Sequence, residues 1–364
     1  MKISMYDFLE KFSEKHLSKS ASDYIGGCNG PWKQNETPAR VLSHYSILFY
    51  EAFKKFGNTS FSAKALELSS AIINDWFPMQ KTIWHRKGPD VDLPNGLMGQ
   101  AWSLEALNAA FLLSQDVKYS DAIHLIINNH KFNSVEKLWH ITFVDGMHGP
   151  IDYTFNHQLW FAAALGELGN ALILDKSKKE LEAFLTKINS FRTQPILSNS
   201  ALRHPCFGYG PKSIFRMGKY QFARTRNKDY KFKEAGYHLF NLQAYSRLFK
   251  CGFLNQSAEK ALVKNINQFV LSDKFFSDLQ SSKYSFSYNP PGFELLATIS
   301  NTQTDNQALI NLAEQLIQKQ FDITFNSELF SFSKNNPDPI TLDARVYELA
   351  QVNSDLLKNV LIKV

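Results

Sequence analysis

Residues 156–174, NHQLWFAAALGELGNALIL, place apolar side chains at positions i, i+3, i+4 and i+7, which is the period of an amphipathic helix. The same period runs through residues 60–77 (SFSAKALELSSAIINDWF) and 98–114 (MGQAWSLEALNAAFLLS). Alternation of apolar and polar residues, which is typical of strands, is brief and scattered. The pattern therefore predicts an all-α protein.

Long apolar helices are predicted to begin at six places, each after a loop rich in Gly, Pro and Asn. The predicted starts lie roughly 51 to 58 residues apart, with one longer gap: they fall near Arg40, Asn95, Asp152, Glu234, Pro290 and Thr341. Each period holds an apolar helix, a short turn and a second, more charged helix, as in 153–175 followed by 178–191. The repeating unit is a helical hairpin.

A single helical hairpin cannot bury its apolar face alone, so hairpins at this spacing must stack on one another. Six hairpins close naturally into an inner and an outer ring of helices. The alternative is an open solenoid, but open solenoids of helix pairs usually repeat at about 34 to 47 residues with consensus positions that this chain lacks. The sequence predicts one domain over residues 1–364, an (α/α)6 toroid of six helical hairpins.

The composition is that of a globular protein with an excess of aromatic residues, since apolar residues make up 44% and aromatic residues 14%. The net charge of +6 does not by itself indicate nucleic acid as a partner. The segment in the longer gap between predicted helix starts carries more positive charge than the net charge of the whole chain, because residues 200–233 hold nine Lys and Arg and a single acid. We expect a basic inserted loop at about 196–233, which fits an anionic ligand or is a solvated loop.

The cysteines and the hydropathy of the sequence indicate the cellular compartment. The three cysteines are far apart and form no CxxC pair, which favours a reducing compartment. The first 20 residues lack the apolar core of a signal peptide, and no window approaches 18 uninterrupted apolar residues. We expect a cytoplasmic protein without a membrane span.

Unusual polar and aromatic residues cluster in the loops before the predicted inner helices. In a toroid these helix starts point to the same rim, so the six loops converge. Asp, Asn, Ser and Pro before a helix are ordinary caps, but polar groups at inner-face positions need partners. The predicted substrate-binding residues are Trp32, Glu36, Arg40, His44, Gln100, Trp102, Asn156, Arg216, Arg224, His238, Asn241, Tyr288, Glu294, Arg345 and Glu348.

The strongest single segment is 150–164, PIDYTFNHQLWFAAA, in which Asp152 opens the helix and Asn156 follows one turn later. A helix N-terminus lowers the pKa of such a carboxyl group, whereas burial or a second carboxylate raises it, and the sequence does not decide between them. The predicted catalytic residues are Asp152, Asp92, Asn95 and His157.

The pattern I-D-x-x-x-N followed by an L-W/F-A stretch resembles a helix start of the unsaturated glucuronyl hydrolases, six-hairpin toroids in which this Asp is the general acid/base. The resemblance implies that role for Asp152 and matches Asn156 to the following Asn. A second Asp of that family opens the preceding inner helix, where this chain has PNGLMG. Asn95 takes its place, and Asp90 and Asp92 lie nearby.

A wider similarity is to six-hairpin proteins of archaeal and bacterial surface-glycan gene clusters. These carry segments like NGP…ETPxR…SH, NGLxGQAW, PIDxTFNHQLWFAA, YNPxGFE and TLxARxYEL. The counterparts here are Asn29–Pro31 with Glu36–Arg40, Asn95–Trp102, Pro150–Ala163, Tyr288–Glu294 and Thr341–Leu349. This similarity implies the toroid fold and a role in surface polysaccharide biosynthesis, but not a reaction type.

Three functions fit these residues. The leading one is a glycoside hydrolase acting on an anionic, uronic-acid-containing oligosaccharide or polysaccharide, which needs two carboxyl groups. Asp152 is the favoured acid, and its partner stays open among Asp92, Asp145, Glu36, Glu294 and Glu348.

The second is a uronate epimerase or lyase, in which Tyr, His or Lys removes the proton beside a carboxylate that Arg binds. The third is a non-catalytic glycan-binding protein with aromatic platforms. The sequence contains no HExxH, GxGxxG or GxxxxGK[ST] motif, so we expect no metal and no other cofactor.

Overall fold

The computed structural model describes residues 2–89, 91–188, 200–206 and 211–364. Asp90 and parts of the basic insertion (189–199 and 207–210) lie outside the described residues. The helices are α1 (Met5–Leu17), α2 (Ala39–Phe56), α3 (Thr59–Trp76), α4 (Gly96–Ser114), α5 (Val117–Asn129), α6 (Phe155–Glu167), α7 (Gly169–Leu172), α8 (Asp175–Ile188), α9 (Pro211–Arg226), α10 (Asp229–Lys250), α11 (Gln256–Lys264), α12 (Asp273–Gln280), α13 (Pro291–Thr302), α14 (Gln307–Thr324), α15 (Pro339–Ala344), α16 (Tyr347–Ala350) and α17 (Ser354–Asn359). A π-helical segment (Asn265–Val270) extends α11, and the strands are β1 (Lys2–Ser4), β2 (Phe132–Asn133), β3 (Leu138–Thr142), β4 (His148–Ile151) and β5 (Leu361–Lys363).

The helices form the predicted (α/α)6 toroid, which confirms the fold class. The inner ring runs through α2, α4, α6, α10, α13 and the short pair α15 and α16, and α16 contacts α2 to close it. The inner helices begin close to the predicted starts: α2 and α4 lie within one residue of them, and α6 begins three residues after Asp152. Inner helices are enclosed on all sides, which is why α4 and α6 are apolar around most of their circumference.

The sixth hairpin is completed by both ends of the chain. Helix α1 packs against α16 and α17, and β1 pairs antiparallel with β5, with Ile3 opposite Ile362. Part of the aromatic excess lies in this closure. The ring of Phe8 contacts a cluster from the outer helix α14 and the loop after it, with centroids 5.0 to 6.1 Å away: Phe321, Phe325, Phe330 and Phe332.

The basic insertion differs from the expected loop, because α9 occupies residues 211–226. Its inward side is polar: Tyr220 and Arg224 hydrogen-bond to Glu234 of α10. Residues 211–226 have no continuous apolar face, so the sequence does not predict a packed helix there. Ion pairing between Arg224 and Glu234 holds α9 against α10 instead. In the part of the chain that the structure describes, no helix is long and apolar enough to cross a membrane.

Close packing between α13 and α14 depends on Gly292. A Cβ atom built there would lie 2.5 Å from Cγ1 of Ile317 and 2.6 Å from its backbone nitrogen. We expect Gly292→Ala to lower the free energy of unfolding by about 1 to 3 kcal/mol, because the backbone of α14 must move. Urea denaturation measures this change. Gly218→Ala in α9 is the matched control, because its Cβ meets nothing within 4 Å, and an equal loss there would contradict the packing argument.

Candidate active site at the helix starts

A cavity of about 210 Å³ lies where the inner helices begin, as the convergence of the six loops predicts. Its wall combines three arginines, two histidines, several amides and aromatic rings: Asn29, Trp32, Gln34, Arg40, Arg86, Asn95, Met98, Trp102, Thr154, Asn156, His157, His204, Tyr237, Phe240, Tyr288, Asn289 and Arg345. Among the described residues, no Asp or Glu lines this cavity. The carboxyl groups near it lie behind the wall.

The first carboxyl group behind the wall is Glu36, which holds Arg40. Arg40 donates to Glu36 at 3.1 Å and to Oδ1 of Asn29 at 3.2 Å, and its guanidinium stacks 4.3 Å from the Trp102 ring. Tyr288 donates to the same Asn29 oxygen at 2.7 Å. Burial raises the pKa of Glu36 despite the nearby Arg40. This network fixes one side of the cavity.

Arg345 is held from three directions between α15 and α16. It donates to Glu348 and Glu294, both at 2.6 Å, and to Oδ1 of Asn289 at 2.8 Å. All three partners and Arg345 itself are buried. The two carboxyl groups share one cation, so they serve to orient the guanidinium rather than to face a ligand.

The burial of Glu294 beside Glu348 and Arg345 makes the stability of the fold depend on pH. Burial raises the pKa of Glu294 above its usual range, with the Glu348 charge adding to the effect and Arg345 opposing it. The folded state therefore binds the proton more tightly than the unfolded state, and the resulting stability is lost as pH rises through the raised pKa. We expect the free energy of unfolding to fall by about 1 to 3 kcal/mol between about pH 6 and pH 9, and Glu294→Gln to remove much of this fall.

Urea denaturation at the two pH values measures both proteins, with Glu14→Gln on the exposed surface of α1 as the control. An unchanged pH dependence in Glu294→Gln would show that Glu294 is not the group responsible.

The hairpin formed by β3 and β4 positions Asp152 just before α6. The backbone N–H of Asp152 donates to the Trp139 carbonyl at 3.1 Å. Gln158 clamps the junction, since its amide donates to the carbonyls of Trp139 and Asp152 and its oxygen accepts from the Trp139 N–H. The side chain of Asp152 is thereby directed back across the first turn of α6.

Asp152 and His157 form a dyad at the cavity. Nδ1 of His157 lies 2.8 Å from Oδ2 of Asp152, while the N–H of Thr154 donates to the other oxygen at 3.0 Å. Burial alone raises the pKa of Asp152, but His157 and the N–H groups of Thr154 and Leu97 outweigh it, so its pKa lies below the usual value. Asp152 is therefore an ionised acceptor that takes a hydrogen bond from Nδ1 of His157, so that in the neutral imidazole Nε2 is the acceptor atom.

The start of α4 packs directly against this dyad. Gly96 has a φ of +54°, and a Cβ there would lie 2.5 Å from Oδ2 of Asp152 and 2.8 Å from Nδ1 of His157. The N–H of Gly96 donates to Asp92, whose pKa is raised by burial, with the charge of Arg86 opposing the rise and that of Asp152 adding to it. Asp92 thus caps α4 and is not on the cavity wall. Asn95 does line the cavity, in the left-handed region at a φ of 59°.

The wall also offers amide oxygens and two further proton-carrying groups. Oδ1 of Asn95 and Oδ1 of Asn156 are buried with no hydrogen-bond partner, so a ligand in the cavity can supply one. His204 is neutral, because burial and the charge of Lys233 hold its pKa well below the usual value. The hydroxyl of Tyr237 accepts from Nε1 of Trp32 at 3.0 Å.

Arg86 is the arginine of the wall that has no ion-pair partner among the described residues. Arg40 and Arg345 pair with glutamates, but no described carboxylate lies within ion-pairing distance of Arg86, and its Nε is buried without a hydrogen bond. Its backbone is fixed by an isolated bridge to Glu36 and by the N–H of Arg86 donating to the Leu93 carbonyl at 2.8 Å. Among the described residues Arg86 is therefore the wall arginine without a direct ion pair, and its charge acts on Asp92 and Glu36 only at longer range, where it opposes the rise in their pKa.

Eight of the residues proposed from the sequence line the cavity: Trp32, Arg40, Asn95, Trp102, Asn156, His157, Tyr288 and Arg345. Asp92, Asp152, Glu36, Glu294 and Glu348 lie behind them, each holding a wall residue or a helix start.

The remaining six lie elsewhere because other groups engage them. Gln100 binds the backbone of Ile83, and His238 bridges Leu202 and Asn265. His44 stacks on Tyr347, Asn241 is buried in α10, Arg216 lies over Tyr153, and Arg224 pairs with Glu234.

Sequence reasoning missed Arg86 and His204 as site residues. Arg86 lies in an irregular loop whose fold follows no period, and His204 lies in the basic insertion. The only available signal for either was its presence near a predicted helix start or in a cationic segment.

The fold and the cavity define the protein as a six-hairpin toroid with a polar site at the starts of its inner helices. No protein-family model matches the chain. It is 29% identical over 368 residues to archaeal glycosylation protein Q of Haloferax volcanii, covering 96% of this chain and 98% of that protein.

Two solved structures show the shared fold. Cellobiose 2-epimerase from Spirochaeta thermophila superposes with a TM-score of 0.60 at 10% identity, covering 97% of each chain. An unsaturated glucuronyl hydrolase specific for heparin gives a TM-score of 0.57 at 12% identity, covering 97% of this chain and 96% of the other. The resemblance to six-hairpin toroid proteins, inferred from the helix-start motifs, is confirmed at the level of the fold.

Proposed function

We propose that the protein is an epimerase of an acidic sugar, acting by proton transfer at the carbon beside the carboxylate. The observation that carries this proposal is the dyad: ionised Asp152 holds Nδ1 of His157, which leaves Nε2 free to accept a proton in the cavity. A carboxylate that orients a histidine and stabilises its cationic form is a general arrangement for base catalysis.

In the proposed reaction Nε2 of His157 takes the proton from the sugar carbon. The electron pair of the broken C–H bond moves into the carboxylate and forms an enediolate, whose added negative charge Arg86 stabilises. A proton then returns to the opposite face of the carbon and restores the carboxylate with inverted configuration. The neutral imidazole of His204 and the hydroxyl of Tyr237 are the two wall groups proposed for this return, each resupplied with a proton by solvent.

The wall chemistry favours this reaction over the carboxyl-pair hydrolysis expected first. Hydrolysis requires two carboxyl groups that face the same glycosidic bond, whereas the carboxyl groups near this cavity hold arginines, a histidine and a helix start. The cavity volume of about 210 Å³ is below the usual range for drug-sized ligands, so it suits a single sugar unit.

The comparisons support a sugar substrate. The relative from Haloferax volcanii is called an archaeal glycosylation protein, and one structural neighbour is called a cellobiose 2-epimerase. We infer that the substrate is a uronate destined for, or at the end of, a surface glycan. A free or nucleotide-linked uronate and a glycan end carry the same carboxylate and adjacent C–H group.

The test is incubation of the protein with hexuronates and uronate-terminated oligosaccharides in D2O, followed by NMR. Epimerisation predicts deuterium at the carbon beside the carboxylate together with the second epimer. New reducing ends would instead establish hydrolysis, an unsaturated chromophore would establish a lyase, and tight binding without any change would establish a binding protein. Each of these three outcomes overturns the proposal.

A further inference from the structure

Helix α9 carries an exposed apolar face of a kind that the other described residues lack. Ile214, Phe215 and Phe222 are exposed to 47, 75 and 57% within nine residues. No other stretch of nine described residues holds three large exposed apolar residues, and scattered ones such as Leu112 and Val117 are normal for a protein surface. Three such residues together on one helix require a separate explanation.

Helical geometry places the apolar and basic residues side by side. At 100° per residue, Phe215 and Phe222 share one outward stripe with Gly218 between them, and Ile214 flanks it. Lys219 and Arg226, both exposed, border the stripe on its other side. The guanidinium of Arg226 lies 4.0 Å from the Phe222 ring centroid. Residues 211–226 contain five Lys and Arg and no acid.

The opposite face of α9 fixes the helix beside the cavity. Tyr220 and Arg224 hydrogen-bond to Glu234 at 2.7 and 2.8 Å, and Arg216 lies 4.4 Å from the Tyr153 ring centroid. Tyr153 in turn follows Asp152 of the dyad. The apolar stripe therefore faces outward at the end of the toroid where the cavity lies.

We propose that α9 is an interfacial helix that docks the protein on an anionic membrane surface. Aromatic side chains on one face, Lys and Arg beside them and no acid are the features of helices that lie in the plane of a lipid bilayer. The absence of acidic residues on α9 favours anionic lipid headgroups, because each basic residue gains from the negative surface. Docking in this orientation turns the cavity end of the toroid toward the bilayer.

The test is co-sedimentation of the purified full chain with sucrose-loaded phosphatidylcholine vesicles, with and without phosphatidylglycerol. We expect binding to the anionic vesicles that weakens with salt, because charge attraction is screened. The double variant Phe215→Ser/Phe222→Ser should lower the partition coefficient by about tenfold or more, and Lys219→Glu/Arg226→Glu should lower it on anionic vesicles.

Val117→Ser is the matched control, since Val117 is 64% exposed at the start of α5, an outer helix that begins where the inner helix α4 ends. Wild-type protein that stays in the supernatant, or a Phe215→Ser/Phe222→Ser variant that binds as wild type, overturns the proposal. The proposal is also overturned if sedimentation velocity shows a dimer that the same two substitutions dissociate, because a second copy of the chain then covers the apolar stripe. The two phenylalanines do not line the cavity, so turnover of a soluble sugar is a separate readout that should not change.

Discussion

Replacing His157 with Gln is expected to lower the rate of deuterium incorporation into the sugar by about 10²- to 10⁴-fold, the usual contribution of a positioned general base. Glutamine keeps a similar reach but cannot accept and release a proton. His157 is partly exposed at the cavity wall, so the fold should survive the substitution. Single-turnover exchange followed by NMR measures the loss, and circular dichroism verifies folding.

Asp152→Asn tests the same dyad by removing the charge of the carboxylate that binds His157. Asparagine can still accept the Thr154 N–H, but it removes the charge that stabilises His157 in its protonated form, so kcat should fall with little change in KM. His124→Gln is the matched control, because His124 contacts a carbonyl of α7 outside the cavity. Full activity in both His157→Gln and Asp152→Asn would refute the assignment of this dyad as the catalytic base.

The group that returns the proton is identified by separating exchange from inversion. A variant that lacks only this group should still exchange the proton with solvent through His157 but should form little of the second epimer. We expect this behaviour from one of His204→Gln and Tyr237→Phe. Equal loss of exchange and inversion in both variants would contradict a two-sided transfer.

The sequence predicts the toroid because its six inner helices each begin with a recognisable break. Asn95 illustrates why this works: Asn and Gly tolerate the left-handed region, and Asn95 and Gly96 both adopt it where the loop ends and α4 begins. The closure of the ring is less accessible, since β1 pairs with β5 from the other end of the chain. Pairing between the two ends of the chain leaves no periodic pattern in the sequence by which it could be predicted.

The chemical parts of the site are predictable, but their roles are not. Asp152 and His157 both lie in the helix-start motif, yet only the structure shows that the carboxylate is buried and that the imidazole lines the cavity. Glu294 and Glu348 look like catalytic acids in the sequence and instead hold Arg345. Whether a carboxyl group faces a ligand or a cation depends on tertiary packing, which spacing along one helix does not encode.

The three arginines of the cavity wall differ in whether they have an ion-pair partner. Arg40 and Arg345 are buried with glutamate partners, so their charges are largely balanced and their main role is to shape the cavity. Arg86 has no such partner among the described residues, and its charge is available to an anion. This difference is why we propose Arg86 as the residue that binds the carboxylate of the sugar.

Arg86→Met is accordingly expected to lower kcat/KM for a uronate by about 10²- to 10³-fold, because a desolvated charge pair with the substrate carboxylate and its enediolate is lost. Arg86→Lys should recover only part of this, since an ammonium cannot bind a carboxylate through two parallel hydrogen bonds. Steady-state kinetics with a uronate and with its methyl ester measure the effect, and the ester should lose far less. Lys87→Met is the control: it removes the same charge from the next, exposed residue, which does not line the cavity. Equal losses for the acid and the ester would show that Arg86 does not bind the carboxylate.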